Sequence, residues 1–338
     1  MEGETHTVRS KKKMLATLVG CNYAGTRNEL RGCINDVLAV RDTLVGPRFG
    51  FAPADVVVLT DGRGAAVLPT GANIKRALAD MIARAAPGYV LFFHYSGHGT
   101  LVPPRHGHGK EEEAIVPCDF NLVTDVDFRQ LVDRVPPGAS FTIVSDSCHS
   151  GGLIDQEKEQ IGPSVLPDSA DAPARTARFL PYGALLEHLS GASGMPSSHH
   201  AADHLLALFG ADASAKFHGH GGTLSAAAPA PRPDEGILLS GCQTDETSAD
   251  VPAEDEEEGG GKACGAFSSA VQTVLAAHPA TLSNRELVAR ARAVLDEQGF
   301  EQHPCLYCSD ANAEAPFLSQ SQENTVGAAS QAVSSLPL

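Results

Sequence analysis

The chain has 338 residues, of which 42% are hydrophobic, and this is enough apolar material for the core of one large domain or two modest ones. Its formal net charge is −16, from 41 acidic against 25 basic residues. Such a charge argues against nucleic acid or an anionic membrane as a main partner, and it suits cationic ligands.

Several features of the sequence bear on cellular location. The sequence contains no run of 18 apolar residues, and the first 13 residues lack the apolar segment of a secretion signal. The eight cysteines are scattered without a disulfide framework, which fits a reducing compartment. Only Cys305 and Cys308 form a CxxC pair, and without a second pair a strand edge is favoured over a zinc site. We therefore expect a cytoplasmic protein that does not bind membranes.

Strand and helix patterns alternate through the first half of the chain. Short apolar runs predict strands over 13–21, 55–59, 89–95, 114–117 and 141–144. Apolar residues at helical spacing predict helices over 34–44, over 74–82 after an N-cap at Thr70, and from Thr124 onward. This alternation predicts an α/β fold with a mostly parallel central sheet and helices on both faces.

The second half divides into a linker and a second folded part. Pro, Ala, Ser, Gly and His dominate from 157 to 234, although amphipathic pieces at 182–189 and 204–209 are able to fold across a site. Beyond it, a strand at 236–242, helices at 265–277 and 283–298 and a strand at 305–308 are predicted to complete the same sheet. We expect a large catalytic part at 1–156, a linker at 157–234, a small part at 235–320 and a disordered tail at 321–338.

Two predicted strands end in residues suited to nucleophilic catalysis. The run 141–144 stops at Asp-Ser-Cys-His, which places Cys148 at a strand end, and 89–95 stops at Ser-Gly-His-Gly, which places His98 at another. In open α/β sheets, catalytic groups lie at the carboxyl ends of strands, so the two side chains are expected to meet. Cys148 is the candidate nucleophile, and His98 is the candidate general acid and base.

The residues beside this pair predict how a substrate is held. The backbone N–H groups of Gly99 and Cys148 are candidates for an oxyanion hole. Asp146 disfavours a thiolate by like-charge repulsion, so a cationic substrate group such as a guanidinium is its more plausible partner. The sequence therefore predicts cleavage after Arg or Lys.

At this level of detail the chain resembles the metacaspases, most of all the plant and algal type II. The strings that carry the resemblance are H-Y-S-G-H-G, I-V-P-C-D, V-P-P-G, S-D-S-C-H-S-G-G-L-I-D, L-L-S-G-C-Q-T-D-E-T-S-A-D and G-A-F-S-S-A. The resemblance implies a caspase-hemoglobinase fold and a calcium-activated, self-processing cysteine endopeptidase selective for Arg or Lys rather than Asp. It puts the catalytic dyad on His98 and Cys148, and the pocket for the basic side chain on Asp36, Ser96 and Asp146.

The resemblance also implies a calcium site, while no organic cofactor is expected. Its ligands fall on Glu113, Asp125, Asp127 and Asp155, with Val126 where an Asp is common in the family. Calcium takes six to eight oxygen ligands, and acids from several loops can supply them. Solvated surface acids are the alternative interpretation of each of these residues.

A protease selective for basic residues is able to cut its own linker, and we expect such self-processing. The candidate residues are Lys158, Arg175, Arg178, Lys216 and Arg232. We expect a monomer that acts on protein or peptide substrates with a basic residue before the cleaved bond. Two other functions stay open: a catalytically silent scaffold of the same fold, and a metal-dependent hydrolase that uses linker histidines 199, 200, 204, 218 and 220.

Overall fold

The computed structural model describes residues 13–105, 111–154, 158–162, 176–218, 236–243, 246–253 and 262–318. The strands are β1 (Met14–Gly20), β2 (Val56–Thr60), β3 (Val90–Ser96), β4 (Gly99–Val102), β5 (Glu112–Ile115), β6 (Val123–Thr124), β7 (Ser140–Asp146), β8 (Glu159–Ile161), β9 (Thr176–Ala177), β10 (Ile237–Ser240), β11 (Ala249–Val251), β12 (Cys264–Gly265) and β13 (Cys305–Tyr307). The helices are α1 (Cys33–Val45), α2 (Gly71–Ala83), α3 (Asp125–Val132), α4 (Tyr182–Ser193), α5 (Ala201–Phe209), α6 (Ala215–His218), α7 (Ala266–Ala277), α8 (Asn284–Glu297) and α9 (Asp310–Glu314).

The central sheet has the strand order β2-β1-β3-β7-β10-β13-β8. Neighbouring strands are parallel from β2 through β10, and β13 and β8 add antiparallel pairs at one end. This arrangement confirms the predicted α/β class and its mostly parallel sheet. Strands β3 and β7 are buried along almost their whole length because helices cover both of their faces.

Alternate residues of the central strands pack into two separate hydrophobic cores. Leu91 and Phe93 face the core that includes α2 and α3, whereas Val90 and Phe92 face the core that includes α1, α7 and α8. The helices α4 and α5 pack on the first of these cores, where Leu185, Leu189 and Leu205 are fully buried. No helix in the described part of the chain combines the length and apolarity that a membrane crossing requires.

The range expected to be a linker is partly built into the fold. Strand β8 pairs with β13 at the end of the central sheet, and the amphipathic pieces at 182–189 and 204–209 lie in α4 and α5. The sequence patterns do not predict most strands of the small sheets β4-β5-β6 and β12-β11-β9. Their strands have two to four residues, too few to show an alternating pattern.

Candidate active site

The site forms where two central strands end side by side. Strands β3 and β7 are parallel neighbours, and their last paired residues are Ser96 and Asp146. His98 and Cys148 each follow two residues later, so the sheet brings both to one edge. The chain then turns sharply at His149, which adopts a left-handed backbone conformation with φ of 51°.

The His98 imidazole is buried and fixed in one tautomer. Its Nε2–H donates to the carbonyl oxygen of Asn28 at 2.8 Å, and its backbone N–H donates to the Tyr23 hydroxyl at 2.9 Å. Because a carbonyl only accepts, Nε2 carries the hydrogen and the lone pair stays on Nδ1. Burial lowers the pKa of His98 to about 4, although its bonds to backbone carbonyls oppose that shift. The ring is thus a neutral base at physiological pH.

The backbone N–H of Cys148 contacts the carbonyl group of an arginine in the same chain, and its thiol contacts Ser248. Its Sγ accepts a hydrogen bond from the Ser248 N–H at 3.0 Å. The carbonyl oxygen of Arg178 accepts from the N–H of Gly99 at 3.0 Å and from the N–H of Cys148 at 3.3 Å. The two amides predicted for the oxyanion hole therefore hold one carbonyl oxygen. A Cβ at position 99 would overlap the Cys148 carbonyl oxygen, so only glycine fits there.

The Arg178 guanidinium fills a closed acidic pocket, with 0% of its side chain exposed. Nη1 donates to Ser96 Oγ at 2.7 Å and lies 3.3 Å from Asp146 Oδ2. Nη2 donates to Asp36 Oδ2 and to Asp250 Oδ1, both at 2.9 Å. The residues predicted to bind a basic side chain thus surround one, with Asp250 as an additional member.

Backbone amides hold the three carboxylates of this pocket in place. Asp36 accepts from the Gly265 N–H at 2.8 Å, Asp146 from the Ser268 N–H at 2.7 Å, and Asp250 from the Arg31 N–H at 2.9 Å. Burial raises the pKa of Asp36, and the Arg178 charge opposes that rise. The pocket is therefore a preorganised acidic site that requires a cation.

The segment around Arg178 runs across the strand ends like an added strand. Before it, β9 pairs antiparallel with β11, and the Arg178 N–H donates to the Ser248 carbonyl at 2.8 Å. After it, the Leu180 N–H donates to the Gly99 carbonyl at 2.9 Å, and Thr100 Oγ1 donates to the Leu180 carbonyl at 2.8 Å. The bond between Arg178 and Phe179 consequently lies beside the thiol, with its backbone held on both sides.

The other predicted self-cleavage residues lie elsewhere. Lys158 Nζ lies 2.5 Å from Asp310 on an exposed surface, and Lys216 pairs with Glu112 and Asp125. Arg175 and Arg232 fall outside the described residues. Of the described candidates, the structure brings only Arg178 to the thiol.

The predicted calcium ligands do not form a metal site with the chain in this arrangement. Glu113 accepts from the Gly152 N–H at 2.5 Å, Asp125 pairs with Lys216, and Asp127 accepts from the N–H groups of Thr124 and Ala215 at 3.0 and 3.1 Å. Asp155 falls outside the described residues. Within the described ranges, no three His, Cys, Asp or Glu side chains lie close enough to bind one ion.

Sequence reasoning missed four residues of the site: Asn28, Ser248, Asp250 and Gly265. Ser248 and Asp250 belong to the T-S-A-D string, which contributed to the resemblance but received no role. Gly265 makes room for the guanidinium, because a Cβ there would overlap Asp146 Oδ2 and Arg178 Nη1. Asn28 acts through its backbone carbonyl, for which no sequence signal exists.

Comparison with known proteins decides the family. A family model described as caspase domain matches residues 13–315. Metacaspase-9 of Arabidopsis thaliana is 55% identical over 324 residues, a match that covers 91% of this chain and 98% of the relative. The chain belongs to the type II metacaspases. Metacaspase-4 of the same plant is 38% identical to this metacaspase, over 90% of this chain and 99% of the relative.

A solved structure shares the fold. The crystal structure of a Geobacter sulfurreducens protein matches with a TM-score of 0.58 and 18% identity, over 91% of this metacaspase and 99% of that protein. As a metacaspase with a caspase domain, the chain is a cysteine endopeptidase, and its substrates are proteins.

Proposed function

We propose that this metacaspase cleaves after Arg, and after Lys, and that it cuts its own chain between Arg178 and Phe179. One observation carries the proposal: the Arg178 side chain fills the acidic pocket while the Arg178 carbonyl oxygen accepts hydrogen bonds from Gly99 and Cys148. A peptide bond bound in this way is already positioned for attack by the thiol.

The proposed reaction uses the two side chains at the strand ends and the two amides that hold the Arg178 carbonyl. The Cys148 sulfur attacks the Arg178 carbonyl carbon, and the thiol proton passes to Nδ1 of His98. Negative charge develops on the carbonyl oxygen, where the Gly99 and Cys148 N–H groups stabilise it. The carbon–nitrogen bond then breaks, and His98 gives the proton to the Phe179 nitrogen. Water, deprotonated by His98, attacks the remaining thioester and restores the thiol and the Arg178 carboxylate.

Preference for basic residues follows from the charges of the pocket. Three carboxylates face one guanidinium with 0–5% of each carboxylate side chain exposed, so a neutral or acidic side chain would leave them unpaired. Arg reaches two sides of the pocket with separate N–H groups, whereas the single ammonium of Lys cannot. We therefore propose the order Arg, then Lys, with Asp excluded.

The uncut chain is proposed to inhibit itself. As long as Arg178 and its neighbours occupy the pocket and the oxyanion hole, a protein substrate has no access to Cys148, which is 0% exposed. Cutting after Arg178 frees the preceding strand to leave. A monomer is proposed because β8 pairs with β13 and so occupies the edge that β13 would otherwise offer to a second copy. A cytoplasmic location stays a prediction, in keeping with eight free cysteines.

Calcium activation also stays a prediction. The acids named for it do not converge in the described residues, so no step of the proposed reaction depends on the ion. Rates measured with calcium and with a chelator test this prediction directly.

The experiment that tests the proposed function compares the active chain with Cys148→Ala and with Arg178→Gln. We expect the active chain to yield a new N-terminus at Phe179 by mass spectrometry and to hydrolyse fluorogenic peptides ending in Arg or Lys, but not Asp. Cys148→Ala should stay uncut and inactive, and Arg178→Gln should stay uncut at this bond. Cleavage of Asp peptides, or self-cleavage of Cys148→Ala, would overturn the proposal.

A further inference from the structure

A lysine of the folded linker lies between two carboxylates of the catalytic part. Lys216, in α6, has its Nζ 3.4 Å from Glu112 Oε1 and 3.4 Å from both carboxylate oxygens of Asp125. The three side chains are mostly buried, with 28%, 20% and 19% exposed. At that burial an ion pair is worth more than on an open surface, because water screens it less.

The ammonium pairs with one of the acids predicted to bind calcium and with the chain neighbour of another. Asp125 is one of the predicted ligands, and Glu112 adjoins a second, Glu113, in β5. A third, Asp127, accepts the Ala215 N–H at 3.1 Å, one residue before Lys216. The linker thus supplies one ammonium to Glu112 and Asp125 and one amide to Asp127.

Further contacts dock the same linker segment onto this face. The hydroxyls of Ser214 and Thr124 are hydrogen-bonded at 2.8 Å and buried, and Phe217 enters the hydrophobic core with 5% exposed. Asn121 Nδ2 donates to the Asp212 carbonyl at 2.9 Å. Lys216 therefore belongs to a segment that contacts the catalytic part along its length.

We propose that Lys216 is a built-in cation for this acidic face, which fastens the distal linker there and excludes a divalent cation from Glu112 and Asp125. Calcium wants six to eight oxygens, so it can use these two carboxylates only after the ammonium leaves. Removing the ammonium leaves two facing carboxylates without a counter-charge, and this raises their attraction for a divalent cation. Neither the fastening nor the exclusion of a divalent cation depends on cleavage after Arg178. Only the inhibitory role of the uncut linker rests on the proposed function.

The test measures calcium binding in uncut protein, so that it does not depend on peptidase activity. In the full-length Cys148→Ala background, calorimetric titration with calcium chloride compares the parent, Lys216→Met and Lys216→Arg. We expect Lys216→Met to bind calcium at least tenfold more tightly than the parent, and Lys216→Arg, which keeps the cation, to match the parent. Equal affinity of Lys216→Met and the parent, or no binding by either, would overturn the proposal.

A matched control and a second measurement separate this effect from general loosening. Lys75 also contacts the distal linker, but its Nζ donates to the carbonyls of Asp212 and Ala213 at 2.8 and 3.2 Å rather than to carboxylates. Lys75→Met should therefore gain no calcium affinity. Without calcium, amide hydrogen exchange over 212–218 should be at least tenfold faster in Lys216→Met than in Lys216→Arg. Equal exchange rates in the two variants would contradict the fastening role.

Discussion

Arg178 and Lys216 are both basic linker residues, both paired with acids of the catalytic part, and only one of them lies at the thiol. The Arg178 side chain is fully buried among three carboxylates, and its carbonyl oxygen accepts from two N–H groups beside Cys148. The Lys216 side chain is 28% exposed, and its acids belong to a different face. Charge pairing alone does not define a cleavage site; the backbone must also lie across the strand ends.

The largest effect should come from removing the nucleophile. Cys148→Ala is expected to lower peptidase activity by at least about a thousandfold, because it removes the proposed nucleophile. The neighbouring Cys242 thiol is a poor replacement, because a hydrogen bond with Cys148 and burial raise its pKa. Self-cleavage followed by gel electrophoresis and mass spectrometry should vanish in parallel. Cleavage after Arg178 in Cys148→Ala would contradict this comparison, because the position of the bond beside Cys148 would then not explain its cleavage.

Replacing each of the two basic residues with methionine should destabilise the protein to different degrees. In the Cys148→Ala background, Arg178→Met leaves three buried carboxylates unpaired and should lower the free energy of unfolding by about 3–5 kcal/mol. Lys216→Met removes a partly exposed pair and should cost about 1 kcal/mol. Urea denaturation measures both. Equal losses would show that the two sites are energetically alike.

The sequence predicts most of those residues of the site that act through their side chains. His98, Cys148, Asp36, Ser96 and Asp146 follow strand ends or family strings, and the structure brings them together around one arginine. Their side chains carry the chemistry, so a residue pattern can reveal them.

Other features depend on contacts between distant segments, and the sequence does not show those. The sequence offers Arg178 as one of five candidate self-cleavage residues, and only the fold shows that its carbonyl oxygen accepts from the Cys148 N–H. The resemblance assigns Asp125 to a calcium site, and nothing in the sequence shows that Lys216, 91 residues away, pairs with it. Long-range pairing of charges is set by the fold, and spacing along the chain does not reveal it.

The space within the acidic pocket offers a sharper test of the Arg178 side of the comparison. A Cβ at Gly265 would overlap Asp146 Oδ2 and Arg178 Nη1, so Gly265→Ala should lower kcat/KM for Arg peptides at least about tenfold, mainly through KM. The matched control is Gly183→Ala in α4, where a Cβ meets nothing within 4 Å. Peptide hydrolysis by the processed enzymes measures both, and an unaffected Gly265→Ala would mean that substrates bind elsewhere.

The additional acid of the pocket should have a smaller effect. Asp250 Oδ1 accepts from Arg178 Nη2 at 2.9 Å, and its carboxylate also accepts from two backbone amides. Asp250→Asn keeps the shape but removes the charge, and we expect kcat/KM for Arg peptides to fall about tenfold, or about 1.4 kcal/mol. Glu112→Gln, on the Lys216 face, should leave that constant within about twofold. A loss of similar size in Glu112→Gln would contradict a separate role for the two acidic sites.

The smallest effect should be a difference in pH dependence between the two regions. The pKa of His98 is lowered by burial to about 4, whereas the unfolded chain binds a proton near the ordinary value of about 6.5. Between these values the unfolded state holds more protons than the folded state, so this histidine lowers the free energy of unfolding as pH falls from about 6.5 to about 4.

In the Cys148→Ala background, His98→Gln should make that pH dependence shallower by up to about 1.4 kcal/mol per pH unit. Lys216→Arg should leave the slope unchanged, because it keeps a permanent cation beside Glu112 and Asp125. Denaturation at pH 4.5, 5.5 and 6.5 measures the slopes, and equal slopes for His98→Gln and its parent would show that His98 is not held neutral beside Arg178.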